Sequence, residues 1–326
     1  MVAFKTLAFW LAKAGLLGFS VAAADKSTYI DHSVTAIETL QSFYDEADGL
    51  WSTTGWWNSA NCLTVIGDFL ALAVEEAGGL NLENVLSNTF NQAQQTSQTA
   101  TKTLMKGTSI RMFESRYAAS PVLGESGLAA RGFSGFINNY YDDEGWWTLA
   151  WIRAYDVTGN TEYLDMAKSI FVDMQGGVNG TCGGGIWWSK DREYKNAIAN
   201  ELYLSVAASL ANRADESDSY LSIAKEQWDW FKGSGMINDN NLINDGLDIQ
   251  PDGSCTNNGD TVWSYNQGVV LGGLVELFVA TGDSEYSSTA SSIAEAAIEA
   301  LSEDGILHES CEPNDCGADG SQFKGN

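Results

Sequence analysis

Histidine is nearly absent from this 326-residue chain, with only His32 and His308 present. A His-dependent triad or a multi-histidine metal site has almost nothing to work with, so any catalysis falls to carboxylates. Bases are scarce too: 17 stand against 43 acids, and the net charge of -26 opposes a phosphate-rich partner, whose binding relies on clustered Lys and Arg. Nucleic acid and anionic membrane surfaces are excluded as partners on that balance. No segment alternates convincingly in the manner of a strand. A bilayer-length apolar run is missing as well; the nearest, Leu7 to Phe19, is short and interrupted by Lys13. Preceded by Lys5 and followed by Ala22-Ala23-Ala24, it reads as a secretory signal over residues 1–24, cleaved after Ala24. The expected mature chain, residues 25–326, is one exported domain without an integral membrane segment.

What is present is a composition 44% hydrophobic and 11% aromatic, enough to bury a large core. The five cysteines, Cys62, Cys182, Cys255, Cys311 and Cys316, would sit in an oxidising compartment, and their odd number leaves one unpaired. Cys311 and Cys316 are close enough in sequence to close a small loop. Asn179-Gly180-Thr181 is a glycosylation acceptor triplet, at Asn179.

Helical spacing dominates. Ile30, Val34, Ile37, Leu40 and Phe43 recur at one helix face, Gly55 to Gly79 is apolar on more than one side, and a third helix is expected over Leu82 to Thr103. Residues 106–133 break the pattern and hold four of the 17 bases, Lys106, Arg111, Arg116 and Arg131; they are either a long surface loop or sequence foreign to the fold. Helical spacing then resumes at Trp147, Ala150, Trp151 and Ala154. A tight turn at Thr158-Gly159-Asn160 leads into a second helix, and Thr281-Gly282-Asp283 repeats the device, with Glu285-Tyr286 matching Glu162-Tyr163. About nine helices in repeated antiparallel pairs, with polar, aromatic loops at one end, predict an all-α toroid whose loops share one mouth.

The stretch YYDDEGWW, 140 to 147, sets Asp142 and Asp143 at a helix start beside paired tryptophans. Glycoside cleavage needs one carboxyl group to protonate the leaving oxygen and a second as nucleophile or base, and aromatic faces suit sugar rings. On this stretch alone a helix cap is the more economical reading, since acids favour a first turn. Adjacent acids converge on one bond only in a turn or helix start, and a retaining pair needs carboxyls about 5 to 5.5 Å apart, which such neighbours can supply. Free N–H groups would keep one ionised; burial against Trp146 or Trp147 and repulsion from its neighbour would keep the other protonated. Glu144 reads as a structural acid. Trp187, Trp188, Trp263 and Tyr265 are sugar platforms or core. Asn196, Asn200 and Gln267, on otherwise apolar helices, must find a sugar hydroxyl or a loop carbonyl. The acid-rich loop Asp239 to Asp260 lacks calcium-ligand spacing and reads as solvated, so neither metal nor cofactor is expected.

Five motifs occur in order: GWWNSANCLT (55–64), YYDDEGWWTLAWI (140–152), CGGGIWWSKDREYKNAIANELYL (182–204), TVWSYNQGVVLGGLVEL (261–277) and CGADGSQFKG (316–325). Together they resemble glycoside hydrolase family 76, the endo-α-1,6-mannanases, in their fungal form. The resemblance implies an (α/α)6 barrel, a polysaccharide partner (mannan or another α-1,6-mannose polymer), and cleavage of internal bonds with retention. It implies Asp142 as nucleophile and Asp143 as general acid/base. From the residue reading, the candidate substrate-binding set is Trp146, Trp147, Trp187, Asn196, Asn200, Trp263, Tyr265, Asn266 and Gln267. The resemblance also implies an extracellular or cell-wall location. Family members continue beyond the FKG at 323–325, so the last barrel helices are expected to be missing; residues 106–133 are a second departure. The competing functions are a cell-wall transglycosylase using the same acids and a non-catalytic mannan-binding or inactive product.

Overall fold

The computed structural model describes residues 26–94, 101–106, 109–114, 133–320 and 322–325. The expected signal, residues 1–24, and residues 107–108 and 115–132 of the atypical stretch lie outside the described residues.

The chain opens with α1 (Lys26–Gln41), α2 (Trp56–Leu72), a short α3 (Val74–Ala77) and α4 (Leu82–Gln92). Three long hairpins follow: α5 (Tyr141–Thr158) with α6 (Thr161–Gln175), α7 (Ala197–Ala211) with α8 (Ser217–Gly233), and α9 (Ser264–Thr281) with α10 (Ser284–Leu301). The inner wall is α2, α5, α7 and α9 side by side, with α6, α8 and α10 backing α5, α7 and α9 from outside. Residue chemistry sets that division. All residues of α7 are buried, whereas α8 buries only Ala224, Gln227, Trp228 and Phe231 on one stripe. This curved double layer of helix pairs is the α/α-toroid architecture that the helix spacing predicts.

The two repeated turns show how the hairpins close. Gly159 and Gly282 end their helices at φ 69° and 72°, a left-handed conformation that favours glycine. Asn160 and Asp283 then cap the next helix, their side chains accepting from the N–H of Glu162 and Glu285. Small residues bring the inner helices together: a Cβ on Gly145 would stand 2.7 Å from Leu202 Cβ, and one on Gly273 would stand 2.8 Å from Ser205 Oγ. At the end of α7 remote from the acidic motif, Arg213 joins Asp156 of α5 at 2.8 Å and Glu276 of α9 at 3.0 Å. The opposite, N-terminal ends of α5, α7 and α9 carry the long loops.

Two expectations are corrected. The third helix ends at Gln92 rather than Thr103, and Thr101–Lys106 pairs antiparallel with Ser109–Glu114. These strands are β1 and β2; threonine recurs at 101 and 103, and β-branched residues favour a pleated strand over a helix. Strands are present elsewhere too, in short antiparallel hairpins such as β3 (Leu247–Ile249) with β4 (Cys255–Asn257). No described helix is long and apolar enough to cross a membrane.

Candidate active site

Helix α5 begins where two loops cross it. Tyr140 is extended and donates its N–H to Asn138 Oδ1 at 2.8 Å, and Tyr141 donates its N–H to the Trp188 carbonyl at 2.9 Å. These contacts fix the first turn, and Asp142 and Asp143 follow at once. Each acid is buried and is held from a different loop. Trp188 Nε1 donates to Asp142 Oδ2 at 3.1 Å, and Asn138 Nδ2 donates to Asp143 Oδ2 at 2.6 Å.

Glu144 does different work. Its Oε1 accepts the Asn138 N–H at 3.2 Å and faces Lys190 Nζ at 3.0 Å, while Lys190 also reaches Asp173 at 2.6 Å. Burial pushes the Glu144 pKa well up, and Lys190 opposes that shift. It braces the loop that carries Asn138, the donor to Asp143.

Sequence reasoning missed a third acid at the site. Asp245, assigned to a solvated loop, is buried; Tyr194 donates its hydroxyl to Asp245 Oδ2 at 2.6 Å, and the Asp245 carbonyl accepts the first N–H of α7, from Ala197, at 2.7 Å. Burial raises its pKa to about 6; the charges of Asp260 and Asp142 add to the rise and the Tyr194 hydrogen bond opposes it. Glu201 was missed as well. It has no solvent exposure, its pKa is pushed well up by burial and then by Asp245, and neither carboxyl oxygen has a hydrogen-bond partner among the described residues. Its signal in the sequence is its place as the sole acid in the apolar run AIANELYLSVAASLA. The Tyr265 hydroxyl is raised by burial, then by Asp245, Asp142 and Glu201, so α5, α7, α9 and the loop before α9 converge on one acidic interior.

The other expected site residues divide by their contacts. Asn200 Oδ1 accepts the Ile186 N–H at 2.8 Å and its Nδ2 donates to the Ile186 carbonyl at 3.0 Å. Gln267 grips Ile243 the same way, at 2.9 Å in both directions. Each is the fourth residue of its inner helix, and each amide is taken by loop backbone. Asn196 caps α7 through the Ala199 N–H at 3.3 Å. Trp147 lies in the aromatic core with Phe136 at 4.6 Å and Trp56 at 5.4 Å, and Trp146 stacks on Trp57 at 5.9 Å. Tyr265 stacks on Phe323 at 4.1 Å and Trp263 meets the same ring edge-on at 5.2 Å. Trp187 lies beneath the Lys195 ammonium, 4.9 Å from its ring centre. Asn266 is fully buried with both side-chain polar atoms unpartnered among the described residues. Asn179 is partly buried in a local turn, its Oδ1 accepting the Thr181 N–H at 3.2 Å. A Cys182–Cys255 disulfide ties the α6–α7 loop to β4, Cys311 pairs with Cys316, and Cys62 is free.

Two adjacent carboxylates thus stand at an inner-helix start beside tryptophan-bearing loops in an α/α toroid. Over residues 130–326 the chain matches the model of Glycosyl hydrolase family 76, and it belongs to that family. It is 31% identical over 200 residues to the mannan endo-1,6-alpha-mannosidase DFG5 of Saccharomyces cerevisiae, covering 56% of this chain and 43% of that one. To DCW1 of Candida albicans, also named a mannan endo-1,6-alpha-mannosidase, it is 30% identical over 202 residues, 56% and 44% of the two chains. The matched segment thus spans less than half the length of these relatives. Among solved structures, Dfg5 from Chaetomium thermophilum in complex with glucosamine superposes with a TM-score of 0.70 at 18% identity, over 93% of this chain and 72% of that one. The GH76A alpha-1,6-mannanase from a Salegentibacter species gives 0.64 at 21% identity, over 86% and 73%. These structural likenesses carry the (α/α)6 fold.

Proposed function

We propose that this chain is a retaining glycoside hydrolase that cuts internal α-1,6 bonds of mannan, with Asp142 as nucleophile and Asp143 as general acid/base. The observation that carries the reading is the pair of adjacent, separately held carboxylates at the start of α5. It is supported by the relatives named as mannan endo-1,6-alpha-mannosidases. In the Salegentibacter alpha-1,6-mannanase, an inactive variant has alanine at two consecutive aspartates and was obtained in complex with alpha-1,6-mannotetrose.

In this mechanism Asp142, oriented by the Trp188 N–H, attacks the anomeric carbon while Asp143 gives its proton to the leaving glycosidic oxygen. Asp143 then takes a proton from the water that breaks the glycosyl–enzyme bond, and the anomeric configuration is retained. Asp245 and Glu201 belong to the same acidic interior and hold protons more tightly than free carboxyls do, which limits the charge near Asp142. Trp187, Trp263, Tyr265 and Asn266 remain the candidate sugar contacts. Export fits the N-terminal run from Lys5 to Ala24, and a cell-wall or extracellular mannan would be the partner.

The test is incubation of the purified chain with unbranched α-1,6-mannan, with and without an added acceptor sugar, and analysis of the products. Free oligomers in both conditions support hydrolysis. Products made only with acceptor would replace it with transglycosylation, and binding without any cleavage would remove the enzymatic reading.

A further inference from the structure

Lys195 is a lysine buried without an acid. It has no solvent exposure, and its Nζ donates to the carbonyls of Thr181 at 2.8 Å, Gly184 at 2.5 Å, Gly185 at 2.9 Å and Asn179 at 3.3 Å. The rings of Trp187 and Trp230 face the same ammonium at 4.9 and 5.8 Å. The charged and titratable residues of the neighbouring segments are Lys190, Asp191, Arg192, Glu193 and Tyr194 on its own loop, Asp245 and Asp248 on the α8–α9 connection, and Asp229 and Lys232 on α8. None forms an ion pair with Nζ among the described residues, and burial alone moves its pKa, down to about 8.

Converging carbonyl oxygens repel one another, and a cation at their focus removes that repulsion. The loop is shaped for this focus. Gly183, Gly184 and Gly185 have φ of 75°, 150° and 76°, and side chains on the latter two would strike Trp230, at 2.7 and 2.3 Å. Trp230 Nε1 takes a further carbonyl of the turn, that of Cys182, at 3.0 Å. Beyond the turn, Ile186 is gripped by Asn200, the Trp188 N–H goes to the Tyr194 carbonyl at 2.8 Å, and Trp188 Nε1 goes to Asp142.

We propose that Lys195 is a positioning residue: its ammonium gathers the 179–185 turn, and the turn in its course sets the Trp188 indole that orients the Asp142 carboxylate. This rests on the reading of Asp142 as nucleophile. A neutral lysine has two N–H donors for four carbonyls and turns a lone pair toward them, so the gathering force is lost on the alkaline side. Arginine keeps its charge there.

The experiment compares the parent chain with Lys195→Arg and Lys195→Met in two ways: turnover on α-1,6-mannooligosaccharides between pH 5 and 9, and the indole N–H resonance of Trp188 over the same range. The parent should lose turnover, at little-changed KM, and shift its Trp188 resonance together near pH 8. Lys195→Met should have turnover at least about tenfold down at all pH with no alkaline step, and Lys195→Arg should recover turnover and remove the step from both readouts. A Trp188 resonance unmoved through pH 8 in the parent, or a Lys195→Met profile matching the parent's, overturns the proposal. A parent inactive on mannan would count against the proposed function alone, leaving the substrate-free resonance titration to decide the role of Lys195.

Discussion

Replacing Asp245 with asparagine isolates the cost of holding a charge in the acidic interior. The Asp245 pKa stands at about 6 against the ordinary 3.8, so the folded chain binds this proton more tightly than the unfolded chain. Between about pH 4 and 6 folding is therefore coupled to proton uptake, stability falls as pH rises through that window, and the penalty is complete above it. At 1.36 kcal/mol per pH unit the penalty is about 3 kcal/mol at pH 7, an upper bound that relaxation reduces. Asparagine keeps a carbonyl oxygen to accept the Tyr194 hydroxyl and carries no charge. The variant should be more stable than the parent by about 1–3 kcal/mol at pH 7, or roughly 2–6 °C in melting temperature, and equal to it within about 0.5 kcal/mol at pH 4. Far-UV circular dichroism melts at pH 4, 5, 6 and 7 measure this. A variant less stable than the parent at pH 7 would refute the reasoning, because the charge would then be held by partners that offset its burial.

Two further outcomes follow from packing and connectivity. Loss of the Cys182–Cys255 bridge, whose cysteines are 73 residues apart, should cost about 4 kcal/mol, and loss of Cys311–Cys316, 5 residues apart, about 2 kcal/mol, read as the denaturation midpoints of the Cys→Ser pairs. Trp147→Ala empties a fully buried position in the aromatic core and should cost about 3–5 kcal/mol in urea melts, whereas a small loss would place this ring in a cleft that solvent already reaches.

Much of the fold is legible because it rests on local rules. The Thr-Gly-Asn and Thr-Gly-Asp turns announce a left-handed glycine followed by a capping side chain, and both turns do that. The apolar run of α7 announces an inner helix. The end of α4 was not legible, since residues 93 to 103 contain no proline or glycine to stop a helix, and strand pairing with 109–114 is a contact that spacing does not encode. In the site, Asp142 and Asp143 are visible as neighbours at a helix start. Asn200 and Gln267 are visible as amides needing partners, but the choice of Ile186 and Ile243 backbone depends on how the loops fold back. Asp245 was hidden because its loop is rich in polar residues, and the hydroxyl that holds it belongs to Tyr194, 51 positions earlier. Lys195 was hidden for a related reason: its four acceptors are carbonyls, and backbone carbonyls leave no trace in residue identity.

The central claim is that Asp142 and Asp143 together break the α-1,6-mannosidic bond. The most direct measurement is initial product release from unbranched α-1,6-mannan, with the anomeric configuration followed by proton NMR, for the parent, Asp142→Asn and Asp143→Asn. The account predicts α-configured first products from the parent and a loss of at least about a thousandfold in each variant, equivalent to about 4 kcal/mol of transition-state stabilisation, with melts that still show a folded chain. A folded Asp142→Asn variant that cleaves at the parent's rate, or first products of inverted configuration, would contradict it.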